Sequence, residues 1–393
     1  MKQFYEGSHA IAEVIRLCKP AVISAYPITP QTHIVEDLAQ MVADGKLNAQ
    51  FVNVESEHSA ASVVLGASAT GVRSYSATSS QGLFYMAEVI FNIAGLRLPV
   101  VLTDANRAIS APINIWNDQQ DTVSLRDAGW IQLYAEDIQE AVDLHIIAYR
   151  IAEDKSMMLP VMVCVDGFIL THGIETVNIP SQEEVDKFLP PYKALYKLDV
   201  DNPMTLGPLV GPDQYMETRY ALHKTLEEAL GFIPEINAEF AKVFGRTYHG
   251  LIEKYHTDDA ERVIVAMGSV CGTIKDVVDD LRKKGKKVGL LKVTSYRPFP
   301  QQAIYEALKN VAKVAVLDKA LSLGAYAPLA VEVRSVFTGK KKAPKVISSF
   351  IAGLGGRDIT KDSIEEIYKS LTTRELSGEF IDLKPELLKE SYE

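Results

Sequence analysis

The sequence predicts an α/β protein built on mostly parallel sheets with helices on both faces. Three observations predict it. Apolar runs of strand length alternate with helix-like segments from about residue 20 to about residue 175. Most of these runs are continuously apolar, as in strands covered on both faces. A second alternation of the same kind begins near residue 256, after a proline-rich stretch. The length, 393 residues, exceeds one ordinary domain. We expect residues 1–255 to form a first unit, with a long docked excursion from about 178, and residues 256–393 to form a second α/β unit.

Taken in order, Val22–Ala25 is apolar, is stopped by Pro27 and Pro30, and reads as a strand ending in a rigid turn. Thr32–Asp44 is helical, with Ile34, Val35, Leu38 and Val42 on one face. Phe51–Val54 is a short strand. The Ala- and Val-rich Ser59–Thr70 is a buried helix ended by Gly71. Arg73–Ala77 is a strand, Gly82–Ala94 a helix, Pro99–Thr103 a strand, Gln139–Ala152 a helix and Pro160–Val165 a last core strand. In the excursion, Leu189, Tyr192, Leu195, Tyr196 and Leu198 favour docking over a free linker, and a long helix is expected from Pro212 to about Phe244. In the second unit, Val263–Gly268, Val288–Val293, Val314–Asp318 and Val346–Ile351 read as strands, and Cys271–Lys284 as a helix.

Composition narrows the function classes. A net charge of −10 gives no support to nucleic acid or an anionic membrane as primary partners. No apolar stretch approaches the ~20 residues of a membrane span. Cys18, Cys164 and Cys271 are far apart, which fits a reducing cytoplasm and cannot ligate an iron–sulfur cluster in the usual four-cysteine manner. The histidines show neither an HExxH motif nor an i, i+4 pair, so no metal site is expected.

Four places carry candidate chemistry. Thr29, in Tyr26-Pro27-Ile28-Thr29-Pro30, is held at the carboxyl end of a strand, where open α/β sheets bind ligands. The plainer alternative is a turn that merely ends the strand. Glu57 is in register with Ala60, Ala61, Val64 and Leu65, the buried face of its helix. A carboxyl on that face is costly without a partner. Burial disfavours charge, so a carboxyl so placed can hold a proton near neutrality, as thiamin diphosphate chemistry requires. A dipole-stabilised acid in the first turn is the alternative. Ser79 and Ser80 sit where a strand gives way to a helix, as a polar-ligand contact or an ordinary cap. Arg107 lies just past a strand end and can fork to a small carboxylate, or pair with Asp104. Trp116, in a polar stretch, is a candidate anchor for a partner chain. The turn Gly353-Leu354-Gly355-Gly356 lacks GxGxxG spacing, which argues against a nicotinamide-dependent dehydrogenase.

Seven motifs, in order, resemble the α subunit of multisubunit 2-oxoacid:ferredoxin oxidoreductases, and those acting on pyruvate most closely. They are YPITP at 26–30, VESEHSA at 54–60, ATSSQGL at 77–83, NRAISAPINIWNDQQD at 106–121, RDAGWIQLYAE at 126–136, YRPFP at 296–300 and GLGGRDIT at 353–360. The resemblance implies a pyrimidine-type domain of the thiamin-diphosphate-binding fold, then a transketolase-C-like α/β domain. It implies that Glu57 activates the aminopyrimidine, that Thr29 and Arg107 hold the substrate, and that Ile28, Ser79 and Ser80 line the cofactor or substrate pocket. Thiamin diphosphate would be shared with a β subunit that also holds Mg2+. This division agrees with the absence here of a GDG motif followed by an NN-type magnesium motif. The [4Fe-4S] clusters would sit on partner subunits of β, γ and δ type, with coenzyme A as co-substrate and ferredoxin as electron acceptor. The implied reaction converts pyruvate to acetyl-CoA and CO2. A branched-chain 2-oxoacid enzyme is the alternative substrate reading, and a non-catalytic scaffold subunit the alternative role.

Overall fold

The structure, a computed structural model, describes residues 3–388. The chain divides into two compact units, Met1–Glu253 with Val293–Pro300, and Lys254–Lys292 with Gln301–Glu393. The path therefore returns once to the first unit before completing the second.

The first unit is organised by a seven-stranded sheet. Its order is Ser295–Arg297, Ile131–Tyr134, Val161–Asp166, Val101–Asn106, Ser74–Thr78, Val22–Ile23 and Gln50–Phe51. All neighbours are parallel except the edge strand Ser295–Arg297, which runs antiparallel to Ile131–Tyr134. The three central strands are buried along their whole length, which accounts for the apolar runs in Val101–Asn106 and Val161–Asp166, while Ser74–Thr78 fills its buried positions with small hydroxyl residues, Ala77 and Tyr75. Buried helices pack against them. Gly7–Cys18 and Ile138–Ala152 are the most enclosed, with Asp137 capping the second by accepting from the Glu140 N–H. A two-stranded antiparallel pair, Gln3–Glu6 with Ile174–Val177, lies outside this sheet.

The excursion is tied down at several points. Leu198 N–H donates to the Ala69 carbonyl at 2.8 Å, and Tyr196 Oη to the Arg97 carbonyl at 3.1 Å. Arg73 makes a buried fork to Glu153 at 2.5 and 2.6 Å, and its Nη2 also reaches the Pro190 carbonyl at 3.1 Å. The helix Pro212–Phe244 starts on a proline in its first turn, continues through Pro234 and ends at Gly245, whose φ of 70° is the usual left-handed stop. Phe240 and Phe244 of this helix meet Phe188, and Arg246 just beyond it grips Asp143 at 2.5 and 2.7 Å.

The second unit holds a six-stranded sheet in the order Ser377–Phe380, Val346–Ile351, Lys313–Asp318, Arg262–Ala266, Val288–Val293 and Ile252–Tyr255. The first five are mutually parallel. Its core gathers Val270, Cys271 and Ile274 of one helix with Ile364, Ile367 and Tyr368 of another. The glycine turn after Val346–Ile351 takes left-handed dihedrals at Gly353, Gly355 and Gly356. No helix among the described residues is long and apolar enough to cross a membrane.

Candidate active site

Five strands of the first sheet end on one edge, and the candidate residues follow them. The loop after Val22–Ile23 carries Ile28 and Thr29, the loop after Gln50–Phe51 leads to Glu57, the turn after Ser74–Thr78 holds Ser79 and Ser80, and Val101–Asn106 runs straight into Arg107. Val161–Asp166 ends at Gly167. A Cβ on Gly167 would lie 2.5 Å from the Asn106 carbonyl and 2.6 Å from Pro30, so only glycine lets these two loops approach.

Glu57 is the first residue of the helix Glu57–Ala69, capped by Ser56, whose hydroxyl accepts from the Ser59 N–H at 3.2 Å. It is 8% exposed and shares the buried face with Ala60, Ala61 and Val64. Its carboxyl faces Gly82. A Cβ there would lie 2.8 Å from Glu57 Oε1 and 2.5 Å from Thr78 Oγ1. Only glycine lets this turn come so close to the carboxyl of Glu57 and the hydroxyl of Thr78. Thr78 Oγ1 and Gln81 Nε2 are buried and have no hydrogen-bond partner among the described residues. Stranded buried donors are costly, and these two stand in the same turn as Gly82.

Arg107 is 6% exposed. Its Nη1 donates to the Thr29 carbonyl at 2.8 Å and its Nε to the Asn114 carbonyl at 3.0 Å. The guanidinium therefore meets loop carbonyls, whereas Asp104 pairs elsewhere. Burial lowers its pKa, with the Asp121 carboxylate opposing that shift. Thr29 itself is exposed and Ile28 half-buried.

Both serines are buried and bound to the protein. Ser79 Oγ donates to the Ala105 carbonyl at 2.7 Å, and Ser80 Oγ lies 2.6 Å from the Ala108 carbonyl. Ser80 has φ 52°, an unusual conformation for a residue with a Cβ. Trp116 is 54% exposed, and its carbonyl accepts from the Ala108 N–H at 3.0 Å, closing the loop that carries Arg107.

Sequence reasoning marked the segment Thr78–Gly82 as a polar-ligand contact and Asp104 as an alternative partner of Arg107, but it did not single out Asp121. Asp104 and Asp121 are fully buried, and Asn106 Nδ2 lies 3.0 Å from the first and 2.8 Å from the second. Burial and the neighbouring Asp121 push the Asp104 carboxyl well above the ordinary range. The available signal was three polar residues at strand end, Asp104, Asn106 and Arg107, in an otherwise apolar run. A second cluster, Glu6, His33 and His172, brings candidate ligand atoms within 4.8 Å of one another from three distant segments. Glu6 is bound to His33 at 2.7 Å, which raises the pKa of that imidazole.

Comparison with known proteins gives consistent matches. Residues 13–237 match the thiamine-diphosphate-binding region of pyruvate flavodoxin/ferredoxin oxidoreductases, and residues 260–364 match core domain II of pyruvate:ferredoxin oxidoreductase. The chain is 51% identical to pyruvate synthase subunit PorA of Methanothermobacter thermautotrophicus, over 97% of its own length and 98% of the relative's. It is 43% identical to ketoisovalerate oxidoreductase subunit VorA of Pyrococcus abyssi, over 94% and 93%. Its fold is similar to that of 2-oxoglutarate:ferredoxin oxidoreductase from Magnetococcus marinus, solved with 2-oxoglutarate, coenzyme A and succinyl-CoA bound. That likeness has a TM-score of 0.73 at 19% identity and covers 94% of this chain and 65% of the other.

Proposed function

The chain belongs to the pyruvate flavodoxin/ferredoxin oxidoreductase family, and from that premise we propose that it is the α-type subunit of a pyruvate:ferredoxin oxidoreductase. The reaction is CoA-dependent: pyruvate, coenzyme A and oxidised ferredoxin give acetyl-CoA, CO2 and reduced ferredoxin, reversibly. The observation that supports the thiamin assignment is the close approach of the buried Glu57 carboxyl and the Thr78 hydroxyl at Gly82. Thr78 Oγ1 and Gln81 Nε2, buried without partners, suit the polar edge of an aminopyrimidine. When bound, thiamin diphosphate supplies the nucleophilic carbon and the electron sink for decarboxylation.

The chain's own residues do the rest of the work on this side of the cofactor. Glu57 gives and takes a proton at its carboxyl, facing the ring. Burial makes that exchange respond to the ring rather than to bulk water. Arg107 uses Nε and Nη1 on the loops. We assign Nη2, which neither contact uses, to the substrate carboxylate, together with the exposed Thr29 hydroxyl. Ser79 and Ser80 shape the pocket floor through their bonds to strand-end carbonyls, and Ile28 covers it. The diphosphate and Mg2+ belong to a β-type partner, the [4Fe-4S] clusters to partner subunits, with γ- and δ-type chains completing a cytoplasmic complex. We retain the two-unit division of the chain, with pyrimidine-type chemistry confined to the first.

The test is CoA-dependent reduction of an artificial electron acceptor by the natively purified complex, with pyruvate, 2-oxoisovalerate and 2-oxoglutarate compared at equal concentration. A strong preference for pyruvate is expected. Preference for 2-oxoisovalerate, the reading that the VorA relative keeps open, would keep the thiamin chemistry and replace the substrate. No turnover with any acid would return the chain to a scaffold role.

A further inference from the structure

Two loops that exit different strands meet on one buried carboxylate. Asp121 lies in the short helix Gln120–Ser124 and is fully buried. Its Oδ2 accepts from two backbone N–H groups, Ser80 at 3.1 Å and Arg107 at 2.9 Å. Its Oδ1 accepts from the Asn106 amide and from the Thr122 N–H, both at 2.8 Å. These donors come from the end of Val101–Asn106, the turn after Ser74–Thr78, and Asp121's own helix.

We infer that Asp121 is a positioning residue, which locks the Ser80 turn to the Arg107 loop and thereby sets where the Arg107 guanidinium can meet a substrate carboxylate. This rests on the substrate role proposed for Arg107. Three features argue for it. A buried charge is expensive unless fully hydrogen-bonded, and an apolar residue would fill the same volume at lower cost. Every donor Asp121 engages outside its own helix adjoins the proposed pocket. One of them, Ser80, is held at φ 52°, a conformation that persists only where surrounding contacts impose it. Beneath Asp121, Asn106 Nδ2 also reaches Asp104 Oδ2 at 3.0 Å and Thr122 Oγ1 at 2.8 Å, and Thr122 Oγ1 lies 2.7 Å from Tyr134 Oη. Asp104 Oδ1 has no donor aimed at it. Burial and the neighbouring Asp121 push the Asp104 carboxyl well above its ordinary range, and burial raises Asp121 as well.

The geometry also gives the direction of the effect. From Asp121 the chain of contacts runs through the Arg107 N–H to its side chain, and from Nη1 to the Thr29 carbonyl. Loosening Asp121 frees the arginine to move away from that carbonyl without removing its charge. Substrate binding should therefore suffer before turnover does.

The experiment uses the intact complex and compares Arg107→Lys, Asp121→Asn and the double variant, reading KM for pyruvate and kcat separately. Arg107→Lys should raise KM about tenfold or more, as expected when a guanidinium held by two loop carbonyls and directing Nη2 to the carboxylate is replaced by a flexible ammonium. Asp121→Asn turns an acceptor into a group that repels one of its N–H partners, and should raise KM by about fivefold to tenfold. The double variant should be no worse in KM than Arg107→Lys, because residues acting through one another are not additive. A fall in active enzyme with KM unchanged in Asp121→Asn would make the residue merely structural, as would KM increases that multiply. Should Asp121→Asn fail to assemble, Asn106→Ala leaves both backbone donors in place and is expected to raise KM about threefold; an unchanged KM there overturns the inference. If Arg107→Lys itself leaves KM unchanged, the substrate role proposed for Arg107 fails, and the positioning role falls with it.

Discussion

The two units of this chain use the same plan, parallel strands with helices packed on them, yet they treat the carboxyl ends of those strands differently. In the second unit Asp318 ends its strand and is closed off at once. It accepts from the Leu329 N–H at 2.7 Å and the Ala330 N–H at 3.2 Å, at the start of the helix Pro328–Val336. In the first unit Thr78 Oγ1, Gln81 Nε2 and Gln31 Oε1 are buried at the same edge with no partner. Among the described residues, the second unit contributes Ser349 Oγ to that class. Fold alone would not distinguish the two edges. Unmet hydrogen-bonding capacity differs between them, and at the first edge it supports the ligand site we propose.

Matched substitutions in the two units can break or sharpen this contrast. The largest difference is expected between two buried carboxyls. Glu57→Gln should lower CoA-dependent turnover by about 10²–10⁴-fold, the usual range for losing a proton-transferring group, with thermal unfolding little changed. Asp318→Asn should leave turnover within about twofold, and it should alter the pH dependence of unfolding instead. Equal turnover in both variants would erase the contrast. Next come two glycines. Gly82→Ala puts a methyl 2.8 Å from Glu57 Oε1, and Gly289→Ala puts one 2.5 Å from the His256 carbonyl. The first should reduce thiamin-diphosphate affinity by about tenfold or more. The second should destabilise the fold by about 1–3 kcal/mol while leaving cofactor affinity unchanged. Cofactor titration and thermal melting of each complex separate the two effects.

A pH difference of smaller size follows from two buried groups. Burial pushes the Asp318 carboxyl up from its ordinary value of 3.8 to about 7. Its protonated form therefore favours folding at low pH, and that contribution is lost as pH rises from about 4 to about 7. Burial pulls His145 down from 6.5 to about 4. Its neutral ring lies between Thr103 Oγ1 and the Ala141 carbonyl, each at 2.6 Å, and the associated stability is lost as pH falls from about 6.5 to about 4. Over that shared window the units should tilt in opposite directions. Hydrogen exchange, corrected for intrinsic rates, should show the strand Lys313–Asp318 losing protection as pH rises and Val101–Asn106 gaining it. The smallest effect is expected from two hydroxyls. Thr78→Val should weaken cofactor binding about threefold to tenfold, whereas Ser349→Ala, removing a buried hydroxyl without a partner, should leave stability equal or slightly higher. Identical behaviour of the pair would mean that the lone hydroxyl of Thr78 has no bearing on ligand binding.

How much of this was readable in the sequence depends on the range of the contacts. Val101–Asn106 and Val161–Asp166 announce themselves because both faces are buried. Pro212–Phe244 does so through its opening proline and closing glycine. Ile131–Tyr134 is only four residues long, with a buried glutamine in the middle, and offers no such run. Glu57 was legible from its place on an apolar helical face. Asp121 was not: its partners outside its own helix lie 14 to 41 residues away, and no local pattern encodes a meeting of separate loops. Likewise Glu6, His33 and His172 come from three segments that only the tertiary fold assembles.

The return of residues 293–300 to the first unit has a practical corollary. Because Ser295–Arg297 borders Ile131–Tyr134, no single cut in the gene can release one unit intact. Ending translation at residue 253 would strip the first sheet of its antiparallel border and leave the Ile131–Tyr134 strand with bare amides, an invitation to pair with a foreign chain. A clean excision would need two junctions, replacing 254–292 with a bridge while retaining 293–300. Gene fusions and splits must therefore carry residues 293–300 with the first unit, although they fall within the sequence of the second.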